Sequence, residues 1–138
     1  MTNFTQGENY RVMDIEKVSY DLVDSSPIVN LIEKELPFRS LEIPVALADA
    51  QIIRHCLAGT VAVRPTTSEL LSDVLNRMNG NIIDVRIVRC ENGIYYSELD
   101  VMTPQGRETF DCRTSDGLAL ALRQRVAAPV LCAVSLFS

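Results

Sequence analysis

Twelve consecutive residues, Asp111–Leu122, set the strongest limits on how this chain can fold. They compress a strand end, a charged turn and an apolar helix into one stretch. Phe110 and Cys112 alternate with Thr109, Asp111 and Arg113, the period-two pattern of a strand with two unlike faces. The hydroxyls of Thr114 and Ser115 then stand where they can cap a helix, and Asp116 falls in its first turn, where a carboxylate favours the positive end of the dipole. Leu118, Ala121 and Leu122 recur at helical spacing, so one side of that helix is expected to be buried. Arg113 and Asp116 remain as charges beside a helix N-terminus, either paired with each other or open to an anion.

The rest of the chain supplies strands and two more helices. Tyr10–Val23 begins as a strand, Asp24–Pro27 has the chemistry of a turn, and Ile28–Ile32 is the return strand. Leu41–Val45 suits a sheet edge, where Pro44 is tolerated. Ala46–Ala58 reads as a helix with Ala46, Ala50, Ile53 and Leu57 on its apolar stripe and Gly59 as its stop. Thr66 and Glu69 form a capping box ahead of Leu70, Leu71, Val74, Leu75 and Met78. Ile83, Val85 and Ile87 alternate with Asp84 and Arg86, so this strand should have one buried and one polar face. Asn92-Gly93 predicts a tight hairpin into Tyr95–Val101, and Pro104–Gly106 turns the chain into Arg107–Arg113. Pro129–Val134 is apolar enough for a buried final strand. The expectation is an α+β fold: a mixed, largely antiparallel sheet of six to seven strands with about three packed helices. Residues 1–9 would form a flexible N-terminus and 10–138 a single domain, since no linker or change of composition divides them.

Charge narrows the function. The net charge is −5; residues 1–50 carry four basic and nine acidic side chains, and residues 51–138 nine of each. With no basic run and only Lys17 and Lys34 for lysine, tight binding driven by phosphate neutralisation is not expected. No apolar run nears the roughly 20 residues that cross a bilayer, and the N-terminus is unlike a signal peptide, so a cytoplasmic protein without a membrane partner is expected. Cys56, Cys90, Cys112 and Cys132 are scattered and read as reduced small side chains. His55 is the single histidine, which excludes any mechanism needing two in one chain. There is no P-loop, dinucleotide glycine motif, H-E-x-x-H or G-x-S-x-G.

Arg113, Ser115, Asp116, Ala119 and Ala121 resemble the "R-P-S-D-A-I-A-L-A" signature of the bifunctional nuclease domain family. Arg64–Leu71 is similar to that family's "R-P-x-T-H-D-L-L", and Leu41–Ile53, more weakly, to its "L-P-I-x-I-G-x-x-E-A-x-A-I". The three blocks are collinear and cover the chain from about Tyr10. The chain departs from the pattern at Ser68-Glu69, where the family has His-Asp; at Thr114, in place of proline; and at Ala46 and Asp49, in place of Gly and Glu.

The resemblance implies metal-assisted hydrolysis of phosphodiester bonds in DNA and RNA with broad specificity, and self-association into a homo-dimer or higher homo-oligomer. Arg64, Arg113, Ser115 and Thr67 would hold substrate, Asp111, Asp116 and Glu69 would carry catalysis, and Asp49 with Asp116 would bind magnesium or manganese. Taken one by one, Glu69 and Asp116 are better explained by helix capping, and Asp49 by its place in a first helical turn, because helix starts select acidic residues. The alternative is a non-catalytic oligomeric binding or regulatory module for a small anion or a protein partner. In either case Arg64 and Arg113 would have to meet in one pocket. The apolar run Val126–Phe137 is the candidate interface.

Overall fold

The computed structural model describes residues 9–20, 23, 26–60 and 63–137. The expected loose N-terminus, apart from Asn9, and the turn residues Asp24 and Ser25 lie outside them. In chain order the elements are β1 (Tyr10–Tyr20), β2 (Pro27–Glu33), β3 (Ser40–Pro44), α1 (Leu47–Ala58), α2 (Thr67–Arg77), β4 (Asn81–Glu91), β5 (Ile94–Thr103), β6 (Gly106–Arg113), α3 (Thr114–Arg123) and β7 (Val130–Ala133). A 3-10 turn over Val134–Phe137 follows. The chain is a single α+β domain with one open seven-stranded sheet, order β3-β2-β1-β7-β4-β5-β6. All its pairings are antiparallel except β4 with β7.

That parallel pairing explains why the core forms around α3. A parallel return needs a crossover, and the crossover here contains α3, which brings the chain from the edge strand β6 back to the sheet centre. Thr114, Ser115 and Gly117–Ala121 are all buried, so this helix is enclosed on nearly every side rather than on one stripe. It lies so close to β4 that a Cβ on Gly117 would stand 2.7 Å from Val85 Cγ1 and 3.3 Å from the Cys112 sulfur. Gly117→Ala is therefore expected to destabilise the domain by about 1–3 kcal/mol through overpacking, with Val85→Ala in the same chain recovering part of it in thermal melts. No recovery would mean that the glycine matters through its backbone instead.

α1 ends at Gly59, whose φ of 70° is the left-handed conformation expected of that stop. Its stripe is narrower than the sequence suggests: Ala50 and Ile53 are buried, whereas Ala46 and Leu57 are exposed. α2 starts with the expected capping box, yet Leu70, Leu71, Val74 and Met78 all stay exposed. The C-terminal run is the reverse case. Val130, Cys132 and Ala133 are buried in the sheet centre, and Leu136 and Phe137 pack against the core, so among its large apolar residues it is Val126 that stands exposed. As an interface, Val126–Phe137 is already used within the fold.

The second correction lies on β4 and β5. Alternation puts Asp84 and Arg86 on a solvated face, but both are buried, with Asp100, which faces Asp84 across the ladder, at 0% exposure. Arg86 Nε donates to Asp100 Oδ2 at 2.7 Å and Nη2 to Oδ1 at 3.1 Å; Glu98 lies 2.9 Å from Nη2, and Arg107 adds a second guanidinium 3.1 Å from Asp100. Thr109 donates to the same carboxylate at 2.7 Å. Asp84 Oδ1 has no hydrogen-bond partner. Burial pushes the Asp84 carboxyl up to about 7, reinforced by Asp100 and opposed by Arg107 and Arg86. Burial disfavours ionisation of Asp100 too, but hydrogen bonds from Arg86, Asp84 and Thr109 outweigh it and hold that carboxyl below the usual range.

A carboxyl raised in the folded state binds a proton on folding between about pH 4 and pH 7, so stability falls as pH rises through that window and is level above it. Asp84→Asn keeps the neutral shape. It is expected to raise the melting temperature relative to wild type at pH 8 and to lose that advantage by pH 5; an equal difference at both pH values would show Asp84 ionised throughout.

Candidate functional site

α1 packs on α3, so the starts of these two helices lie close together. Arg113, the last residue of β6, reaches Asp49 in the first turn of α1, just beyond β3. Above this junction opens a cleft of about 1300 Å³, floored by β5 and β6 and walled by α2 and the end of β3. Its mouth carries Asp49, Asp111, Arg113, Ser115 and Asp116, with Thr67 and Ser68 from α2; its interior is apolar, with Leu71, Leu75, Tyr95, Leu99 and Phe110.

First-turn residues of all three helices therefore line one opening: Asp49 of α1, Thr67 and Ser68 of α2, and Thr114–Asp116 of α3. α2 is capped, its Thr66 hydroxyl accepting from Glu69 N. α1 and α3 have no side-chain cap, their N-cap positions being Ala46 and Arg113. The expected cap from Thr114 fails because that hydroxyl is bonded to Ser97 Oγ at 2.6 Å and donates to the Tyr95 carbonyl at 3.2 Å. It ties the helix to β5 instead of closing its end. Two sets of first-turn amides thus lack an acceptor from the cap position, where the dipoles favour negative charge.

Arg113 lies between them. Nε and Nη2 donate to Asp116 at 2.9 and 3.0 Å, and Nη1 and Nη2 to Asp49 at 3.2 and 3.4 Å. The hydrogen bonds it gives to Asp116, with the charges of Asp116 and Asp49, raise its pKa further above the usual arginine value. Its side chain is still 64% exposed, so one face of the guanidinium is open to the cleft. Among the described residues lining the cleft, it is the single lysine or arginine.

The expected meeting of two arginines does not occur. Arg64 is exposed in the segment before α2 and does not line the cleft. Glu69 is turned away as well: its Oε1 accepts from Thr66 N and Oγ1 at 3.2 and 3.0 Å and lies 3.7 Å from Arg123 Nη2, beside a separate pocket of about 200 Å³. The bond from the Thr66 amide, with smaller help from its hydroxyl and Arg123, lowers the Glu69 pKa. Asp111, Arg113, Ser115, Asp116, Asp49 and Thr67 are brought together; Arg64 and Glu69 are not. Ser68, at the position where the family pattern has histidine, does line the cleft. His55, in the last turn of α1, does not.

As arranged, Asp49 and Asp116 do not fit a divalent ion, because the oxygens of both carboxylates are turned onto Arg113. Among the described residues no group of three or more His, Cys, Asp or Glu side chains could hold a metal. No described helix is long and apolar enough to cross a membrane. Sequence reasoning missed the apolar depth of the cleft. Its one early signal was Phe110, an apolar residue on the last strand before the charged turn, which lines the cleft.

The model of the bifunctional nuclease domain matches residues 30–138 of the chain. No curated protein matches it.

Proposed function

The chain belongs to the bifunctional nuclease domain family, and on that premise we propose that it hydrolyses phosphodiester bonds at the mouth of this cleft. The observation that supports the reading most is the pair of uncapped helix starts on either side of an exposed arginine. A phosphodiester placed there accepts from the first-turn amides of α3 and from the one Nη1 N–H of Arg113 that neither aspartate takes, with the hydroxyls of Ser115 and Thr67 as further donors. Asp49 and Asp116 act on the arginine: two carboxylates hold one planar guanidinium against rotation. Asp111, exposed at the edge and not paired with Arg113, is the carboxylate left to take a proton from attacking water. No step is assigned to a metal, since the two aspartates that would hold it are engaged.

A second reading has one observation in its favour. Ser68 puts a hydroxyl where the family pattern has an imidazole, and it faces the cleft, so the mouth has no group titrating near neutrality there. The cleft would then hold a phosphate without turning it over. Self-association, in either reading, would use the exposed apolar residues of α2, Leu70 and Met78 among them, rather than the C-terminus.

The deciding experiment is cleavage of labelled DNA and RNA by purified protein, with and without magnesium or manganese, beside Arg113→Ala. Cleavage that survives the substitution at full rate comes from a contaminant and removes the hydrolytic reading.

A further inference from the structure

We infer that the cleft accepts single-stranded nucleic acid with its bases directed inward, and that duplex is a poor ligand. This rests on the reading of the mouth as a phosphodiester site. The anion-binding groups are confined to the mouth, while the walls behind them are apolar and aromatic. A phosphate gains nothing from Leu71 or Leu75, but an unstacked base does. Phe110 is half exposed on the edge strand and offers a ring face toward the cleft. The volume, about 1300 Å³, exceeds the roughly 300–1,000 Å³ usual for one small ligand. It suits several linked units better than one.

Charge points the same way. A duplex keeps its bases stacked and presents phosphates, so its binding depends on many cations along a track. Here the cleft has Arg113 alone, flanked by Asp49, Asp111 and Asp116. Affinity must come from base contact, which a single strand provides and a duplex withholds.

The test is fluorescence anisotropy in EDTA with a short labelled oligothymidine and the same strand annealed to its complement, for wild type and Phe110→Ala. The single strand is expected to bind at least about tenfold more tightly than the duplex, and Phe110→Ala to weaken it by about tenfold, the lower part of the range for loss of one stacked base. Because one arginine meets phosphate, a plot of log affinity against log salt should have a slope of about −1 or shallower. The melting temperature of Phe110→Ala should fall by no more than about 5 °C, since the ring is already half exposed. Equal or tighter duplex binding, a steep salt slope, or a Phe110→Ala variant that binds like wild type overturns the inference.

Cleavage assays on both substrates separate this from the parent reading. Hydrolysis that does not prefer single strands overturns the inference and leaves the nuclease standing. Absent hydrolysis with Phe110-dependent single-strand binding removes the nuclease and retains the inference. A cleft that binds a cationic amphipathic peptide or a second copy of the chain but no oligonucleotide overturns both.

Discussion

Arg86→Met is expected to cost about 3–5 kcal/mol of folding stability, a large part of the roughly 5–15 kcal/mol available to a domain. Arg86 is 1% exposed and lies between Asp100 at 2.7 Å, Glu98 at 2.9 Å and Asp84 at 3.8 Å. Methionine fills much of the same space, so the loss is not a cavity effect. It is the charge of Asp100, left buried with Arg107 as its remaining close cation. The melting temperature should fall by about 10–20 °C at pH 7. Adding Asp100→Leu should restore part of that, because a buried ion pair replaced whole by apolar side chains is often neutral in stability. If the Arg86→Met variant melts within about 3 °C of wild type, the carboxylates reach water in the folded state, contrary to the burial described above.

Arg113→Ala is expected to lower kcat/KM for oligonucleotide cleavage by about 10²–10³-fold, the usual effect of removing one preorganised donor from a charge-stabilising site. Stability should hardly change. The pair with Asp116 is exposed at both ends and contributes about 0–1 kcal/mol, and Asp49, 14% exposed at the cleft mouth, keeps access to water when the arginine is gone. That combination separates a role at the reaction centre from a structural one. Arg113→Lys should recover only a small part of the activity, since an ammonium cannot span Asp49 and Asp116 in one plane and still keep an N–H for phosphate. If lysine restores activity fully, Arg113 acts as a diffuse charge and the two aspartates do not position it. If alanine lowers the melting temperature by more than about 5 °C, loss of activity at that site reports folding instead.

Sequence patterns and structure agree where the local chain decides the outcome. The Thr66/Glu69 capping box, the Gly59 stop and the Asn92-Gly93 hairpin all depend on residues within a few positions of one another. The seven strands and three helices fall within the six to seven and about three expected from periods of two and 3.6, and the family match extends over the blocks that carried the resemblance. Pairing and burial across the sheet were not legible. Nothing near Asp84 or Arg86 in the chain announces that Asp100 and Arg107 will meet them, so alternation alone put those charges in water.

What the sequence determined by itself was therefore the set of elements and which residue types stand at their ends, because those are settled by short-range sterics and hydrogen bonding. Only the tertiary structure decided which ends share an opening. Packing of α1 on α3 brings Arg113 to Asp49, 64 residues away in sequence, while Arg64 stays outside the cleft. Packing of α3 on β5 draws the Thr114 hydroxyl down to Ser97, which leaves the start of α3 uncapped. Both outcomes depend on how β6 and the returning helix pack against β5 and β4, a long-range arrangement that no local window contains.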